Sequence, residues 1–295
     1  IGGLVGWIDA GTLSSGTFSG QLATSTSGST VRMGGIIGLA SSDGVEMGNN
    51  FYNLDAVTVQ GQRMFTAGAL YAEQYNRWLQ ANRQLDIDNE LTQVNGVYQI
   101  NSLQDWRRML AFADGGYHFV LGADLDLAAD SGFSVASFNG RLDGAGHTLQ
   151  NHSLSQTLLT GPVGLFGTLE AGSNINGLTL QNSQVSGSTQ VGLLAGANLG
   201  ELAQVSASGT VSGATTGGLV GDNQGQISQA TVVATVSGSS ELGGVAGVNS
   251  GTISNSSSTA TVTATSGVAG GIAGRNAQDA TISGSSSQGT LNGQS

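Results

Sequence analysis

Cysteine is absent from this chain, which excludes disulfides, thiolate zinc sites and cysteine nucleophiles. Lysine is absent too: all eight basic residues are arginine, against 19 acids, and the net charge is −11. A chain so poor in cations has no basic stripe for nucleic acid, and its sign disfavours attachment to anionic lipid. Proline occurs once, at Pro162, and charged residues make up only 9 %, too few for charge-driven disorder. No apolar run approaches the ~20 residues of a membrane-spanning helix, so no membrane insertion of this stretch is expected.

Glycine is abundant instead, at 49 of 295 residues, and without the Gly-X-Y period of collagen. It recurs in one five-residue phrase. The phrase ends at Gly6, Gly38, Gly167, Gly196, Gly221, Gly247 and Gly274, and the last five copies end 29, 25, 26 and 27 residues apart. A period in the twenties indicates a solenoid, one supersecondary unit stacked on itself. Asn198, Asn223, Asn249 and Asn276 each follow the closing glycine by two positions. An apolar residue comes next (Ile175, Leu202, Ile227, Ile253, Ile282). Then Val211, Val236, Val262 and Leu291 alternate with hydroxyl or amide residues. Alternation of period two marks a strand with one buried face.

Three short strands per coil, joined by Gly and Asn turns, describe an all-β parallel β-helix. Glycine and asparagine suit such corners because both tolerate positive φ. The turn asparagines should hydrogen-bond along the axis as a ladder. Residues 1–60 read as β-helix coils, 61–116 as a helical excursion of two short helices, and 117–295 as β-helix carrying the repeats. In the excursion a helix is expected over 66–83, with Tyr71, Tyr75, Trp78, Leu79 and Asn82 on one stripe. An acidic loop should cover 85–91. A second helix should run over 102–113, started by Ser102 and Asp105 and ended by Gly115-Gly116. The excursion is expected to bulge from a continuous solenoid. The chain opens inside a repeat phrase at Ile1 and stops at Ser295 with no polar cap visible. It is therefore expected to be a piece of a longer polypeptide.

The densest polar cluster is Asp124, Asp126, Asp130, Arg141, Asp143 and His147. A glycan-cleaving β-helix would need two or three carboxylates gathered on one face. A turn-and-cap set needs only separate acids, and Asp143 before Gly144 fits a turn. The repeats from Val163 onward hold five scattered acids and Arg275. His118, His147 and His152 lack zinc spacing and are expected in turns and at the surface, and no calcium-loop pattern occurs. No catalytic, cofactor-binding or metal residue is assigned. One outward face should carry Thr210/Ser212, Thr235/Ser237, Thr261/Thr263 and Thr290/Asn292. Only one coil has the paired threonines of an ice-binding face, and a hydroxyl-rich face can equally contact sugars or a second copy.

The phrases GGLVG and GGIAG resemble the GLUG repeat of large secreted bacterial proteins. Asp124-Leu125-Asp126-Leu127, the run from Phe138 to Leu149, and Gly164-Leu165-Phe166-Gly167 resemble the lead-in to such arrays in filamentous-haemagglutinin-like, two-partner-secreted adhesins. The resemblance covers nearly the whole chain. It implies a right-handed β-helix, export with the help of an outer-membrane transporter, an extracellular, cell-surface location, and attachment in biofilm or host adhesion. A non-catalytic adhesive stalk is therefore expected, its partner polysaccharide, host surface or sister molecules. A glycan-active lyase or hydrolase and a purely structural spacer are the alternatives.

Overall fold

A computed structural model describes residues 2–8, 11–18, 20, 22, 34–37, 45–59, 62–63, 65–157 and 161–293. The fold is a parallel β-solenoid of about seven turns. Gly38, which closes the second phrase, and the chain ends Ile1 and Ser295 lie outside the described residues. The coil from Gln190 to Gly213 shows the unit. Its glycine phrase forms two short strands, Gln190–Gly192 and Ala195–Asn198, and Glu201–Ala203 and Ser206–Gly213 follow. The three expected pieces are all present, and the first is itself folded in two.

Stacking these strands builds sheets of four, six, nine and ten strands. Their pairing is parallel apart from the antiparallel Gln93–Val94 and Val97–Ile100 at the start of the nine-stranded sheet. Register is regular along the solenoid, apart from a shift between Leu180 and Ser183 in the ten-stranded sheet. Leu142, Ile175, Leu202, Ile227, Ile253 and Ile282 form one row through the nine-stranded sheet. Val185, Val211, Val236, Val262 and Leu291 form another in the ten-stranded sheet. From Ile175 to Ile253 and from Val185 to Val262 these side chains are buried, each contributing about 1.5–3 kcal/mol of transfer free energy. A one-residue slip would turn a whole row to water, which is why small aliphatics at fixed spacing suffice to set the coil.

The glycines of the phrase have a different job from the one expected. None of Gly196, Gly221, Gly247 and Gly274 has positive φ. A Cβ at Gly221 would lie 2.5 Å from the backbone N of Val191, and one at Gly274 would lie 2.4 Å from the backbone N of Leu242. The six-stranded sheet thus lies on the four-stranded sheet backbone to backbone, with no side chain between. Positive φ falls at another corner, just before the ten-stranded sheet: Gly177, Gln204, Gln229, Asn255 and Gly284 have φ of 62°, 54°, 53°, 49° and 58°.

The asparagine ladder forms as the spacing demands. Asn198 Nδ2 donates to Asn223 Oδ1 at 2.8 Å, Asn223 to Asn249 at 2.7 Å, and Asn249 to Asn276 at 2.7 Å. The first three are fully buried. Asn223→Ala would strand the Asn198 amide and the Asn249 carbonyl, each a buried polar group worth about 1–3 kcal/mol when unpaired. A urea melt should therefore show a loss of about 3 kcal/mol for Asn223→Ala. Asn276→Ala, at the exposed rung, should lose clearly less.

Between the first coils and the array sit three helices, α1 (Ala72–Gln80), α2 (Ile87–Glu90) and α3 (Leu103–Met109). α1 is shorter than the expected 66–83, and Leu79 of its stripe is exposed. The acidic stretch 85–91, expected as loop, contains α2, because the Asp86 side chain accepts from Asp88 N and caps one turn. At α3 the reciprocal cap is present: Ser102 accepts from Asp105 N, and the Asp105 carboxylate accepts from Ser102 Oγ at 2.8 Å. A 3₁₀ turn, Leu110–Phe112, extends α3. Segment 61–116 also carries strands, so it is more than helices. Ala69–Leu70 closes a three-stranded sheet with Thr17–Phe18 and Phe51–Asn53, whereas Val97–Ile100 joins the nine-stranded sheet. Among the described residues no strand pairing crosses from one to the other. Continuity runs through side chains: Tyr52, Phe65 and Ala69 share one buried core with Trp106 of α3 and Phe133, and the Phe65 and Trp106 ring centroids lie 5.4 and 5.7 Å from that of Phe133.

Candidate functional site

The six polar residues of the lead-in segment do not converge. Asp124 and Asp126 flank Leu125 on the outside of one strand, as their spacing requires. Asp124 Oδ1 accepts from Thr148 N at 2.9 Å and meets His147 Nδ1 at 3.1 Å. Asp126 accepts from Ala128 N at 2.9 Å and from Asn151 Nδ2 at 3.0 Å. These backbone and side-chain donors hold both exposed carboxyls below the usual carboxylate range. Asp143 accepts from Ala145 N at 2.9 Å and shapes its own turn. Arg141 is exposed on the nine-stranded sheet, in register with His118 and Asn174. Among the described residues no group of three or more His, Asp or Glu side chains is placed to hold a metal.

Asp130 points the other way, into the protein. It is fully buried and receives Arg107 Nε at 3.0 Å, Arg63 Nη1 at 3.3 Å and the Tyr71 hydroxyl. Both guanidiniums also sit over the Tyr71 ring, 5.1 Å (Arg107) and 5.5 Å (Arg63) from its centroid. This cluster fastens α3, the strand Gln62–Arg63 and the start of α1 to the turn Leu127–Asp130.

His152, expected at a turn or the surface, is fully buried. Its Nε2–H donates to the Phe133 carbonyl at 2.8 Å, and its Nδ1 is buried without a partner. Burial pushes its pKa down to about 4, and Asp130 opposes that only in part. A histidine held neutral in the fold but free to charge when unfolded stabilises fully above its ordinary value near 6.5. That contribution is lost as pH falls from there towards about 4. The urea midpoint should drop between pH 7 and pH 5, and His152→Phe should flatten that slope. An unchanged slope in the variant would refute the assignment.

A further concave surface lies over the ten-stranded sheet. An open groove of about 400 Å³ is floored by Leu154, Val185 and Val211 and rimmed by serine, threonine and Gln184. Register aligns its rim into two rows. One is Ser153, Gln184, Thr210, Thr235, Thr261 and Thr290; the other is Ser155, Ser186, Ser212, Ser237, Thr263 and Asn292. The sequence shows four coils of these rows. The Ser153/Ser155 and Gln184/Ser186 rungs were missed, although Ser-Leu-Ser and Gln-Val-Ser alternate there in the same way. Ser186 Oγ bonds Ser155 Oγ at 3.0 Å, but Gln184, Thr210, Ser212, Thr235 and Ser237 make no side-chain hydrogen bond among the described residues. Some polar residues elsewhere are internally paired: Asn174 with Glu201, Thr215 with Glu241, and Asp222 with Gln190 and Gln224. The row Thr179, Ser206, Thr231 and Ser257 of the same ten-stranded sheet makes no such bond among the described residues.

No family model matches the chain. A stretch of 127 residues, 43 % of the chain, is 36 % identical to Halomucin of Haloquadratum walsbyi and spans 1 % of that protein's length. A crystal structure of a candidate immunoglobulin A1 protease from Bacteroides ovatus is similar with a TM-score of 0.58 and 24 % identity. That likeness covers 69 % of this chain and 70 % of that one, and it shows the fold alone.

Proposed function

We propose that this chain is a non-catalytic, extracellular segment of a large cell-surface protein, a rigid β-helical stalk that takes part in attachment. The observation that carries the reading is the hydroxyl-lined groove: an open, uncharged polar surface on a stack that in-register pairing from coil to coil makes stiff. The partial likeness to Halomucin and the solenoid fold are compatible with a structural surface protein. The GLUG-like phrases and the adhesin-like lead-in support the finer reading, attachment to polysaccharide, host surface or sister cells after two-partner secretion.

A second reading, a glycan-active enzyme, draws on the exposed Asp124–His147 pair at 3.1 Å. One experiment separates the two. The protein is mixed with matrix polysaccharides, then both co-sedimentation and release of new sugar ends are scored. Retention without release supports attachment. Release overturns the non-catalytic reading, and its survival in Asp124→Ala, Asp126→Ala and Asp143→Ala would exclude these acids. Neither signal would favour a spacer.

A further inference from the structure

The surface-attachment reading leaves its ligand open, and the groove narrows it. We infer that the groove over the ten-stranded sheet is a track for a neutral polysaccharide, lying across the strands along the solenoid axis and held by Gln184, Thr210, Ser212, Thr235 and Ser237. This deepens the attachment reading and rests on it.

Three features select that chemistry. First, Gln184, Thr210, Ser212, Thr235 and Ser237 present hydroxyl and amide groups with no side-chain partner among the described residues, so a polyhydroxylated ligand can replace their water without breaking such a bond. Second, no lining residue is charged, while the whole chain carries −11. An anionic polymer would meet repulsion and find no cation, and a cationic one no carboxylate in the groove. A neutral chain meets neither problem. Third, the same row recurs at every coil, about 4.8 Å apart, which suits a repeating polymer better than a compact ligand. Leu154, Val185 and Val211 beneath it face the core and are buried, so contact with a ligand falls on the hydroxyl and amide rims. With no aromatic platform in the lining, each unit binds weakly, and affinity has to accumulate along the chain.

The test is calorimetric titration with linear neutral glucan, mannan and galactan oligosaccharides of two and six units, with a six-unit oligogalacturonate as the anionic counterpart. At least one neutral hexamer should bind, about tenfold or more tighter than its dimer, and the oligogalacturonate should not. Thr210→Val combined with Thr235→Val removes two hydroxyls but keeps β-branched strand formers, so folding should persist, checked by an unchanged thermal midpoint. That variant should bind about tenfold more weakly. Equal binding by the folded variant, or by the oligogalacturonate, overturns the inference. Failure of every neutral hexamer overturns it too. The attachment reading still stands if the same protein co-sediments with intact matrix, and falls with it if that also fails. Concentration-dependent dimerisation weakened by the two valines would place a second copy in the groove and likewise overturn the glycan assignment.

Discussion

Gly221→Ala is expected to lose about 3 kcal/mol or more of stability, although the change adds only one methyl group. That methyl would stand 2.5 Å from Val191 N, 2.6 Å from the Gly196 carbonyl oxygen and 2.8 Å from the Gln190 carbonyl carbon. All three are backbone atoms fixed by ladder hydrogen bonds, so no rotamer change relieves the contact. The strands have to separate, and each is paired to coils on both sides. Gly172 supplies the control. It has φ of +92° and open space around an added Cβ. Gly172→Ala should therefore cost only the left-handed backbone penalty of roughly 1–2 kcal/mol. Urea melts of the two variants decide between the explanations. If Gly221→Ala costs no more than Gly172→Ala, backbone-to-backbone packing is not what the phrase provides. Since Gly196, Gly247 and Gly274 meet neighbouring backbone in the same way, alanine at each should be comparably damaging.

That result would also explain what the sequence could and could not convey. The period, the apolar rows and the asparagine ladder were legible because each depends on side chains recurring at one spacing. So was the cap at Ser102 and Asp105, a local pattern. The folding of the phrase into two apposed sheets was not, because it is made by the absence of side chains. Glycine in a turn and glycine under another strand look alike in one dimension. The left-handed corner was hidden for the opposite reason: Gln204 and Gln229 occupy it, and glutamine carries no signal for positive φ. Of the lead-in polar cluster, the turn roles of Asp126 and Asp143 could be read from neighbours, whereas Asp124 bonds Thr148 N and His147 on the next coil. Asp130 could not be read either, since its partners Arg63 and Arg107 lie 67 and 23 positions away.

Asp130 is where the second large effect is expected. Asp130→Ala should lower stability by about 3–5 kcal/mol, because breaking a buried ion cluster leaves its other members uncompensated. Arg107 would lose its carboxylate, and Arg63 would keep only Asp55, 2.9 Å away. Two cations would then face one phenol ring with no anion between them. The Tyr71 hydroxyl cannot compensate by ionising. Burial, the largest cause of its raised pKa, persists in the variant although the Asp130 contribution is gone, so it stays a donor with nothing to donate to. Arg107→Met should cost less, because the Arg107 side chain is 35 % exposed and its pairing is partly screened by water. A double-mutant cycle between the two positions should show clear coupling. The damage should also be local. The cluster ties α1 and α3 to the first turns of the array, whereas Ser206–Gly213 is held by coils on either side. Hydrogen exchange in Asp130→Ala should therefore accelerate in Ala72–Gln80 and Leu103–Met109 while Ser206–Gly213 stays protected. Uniform acceleration through the array would mean that helices and coils unfold as one unit and that the clasp has no separate role.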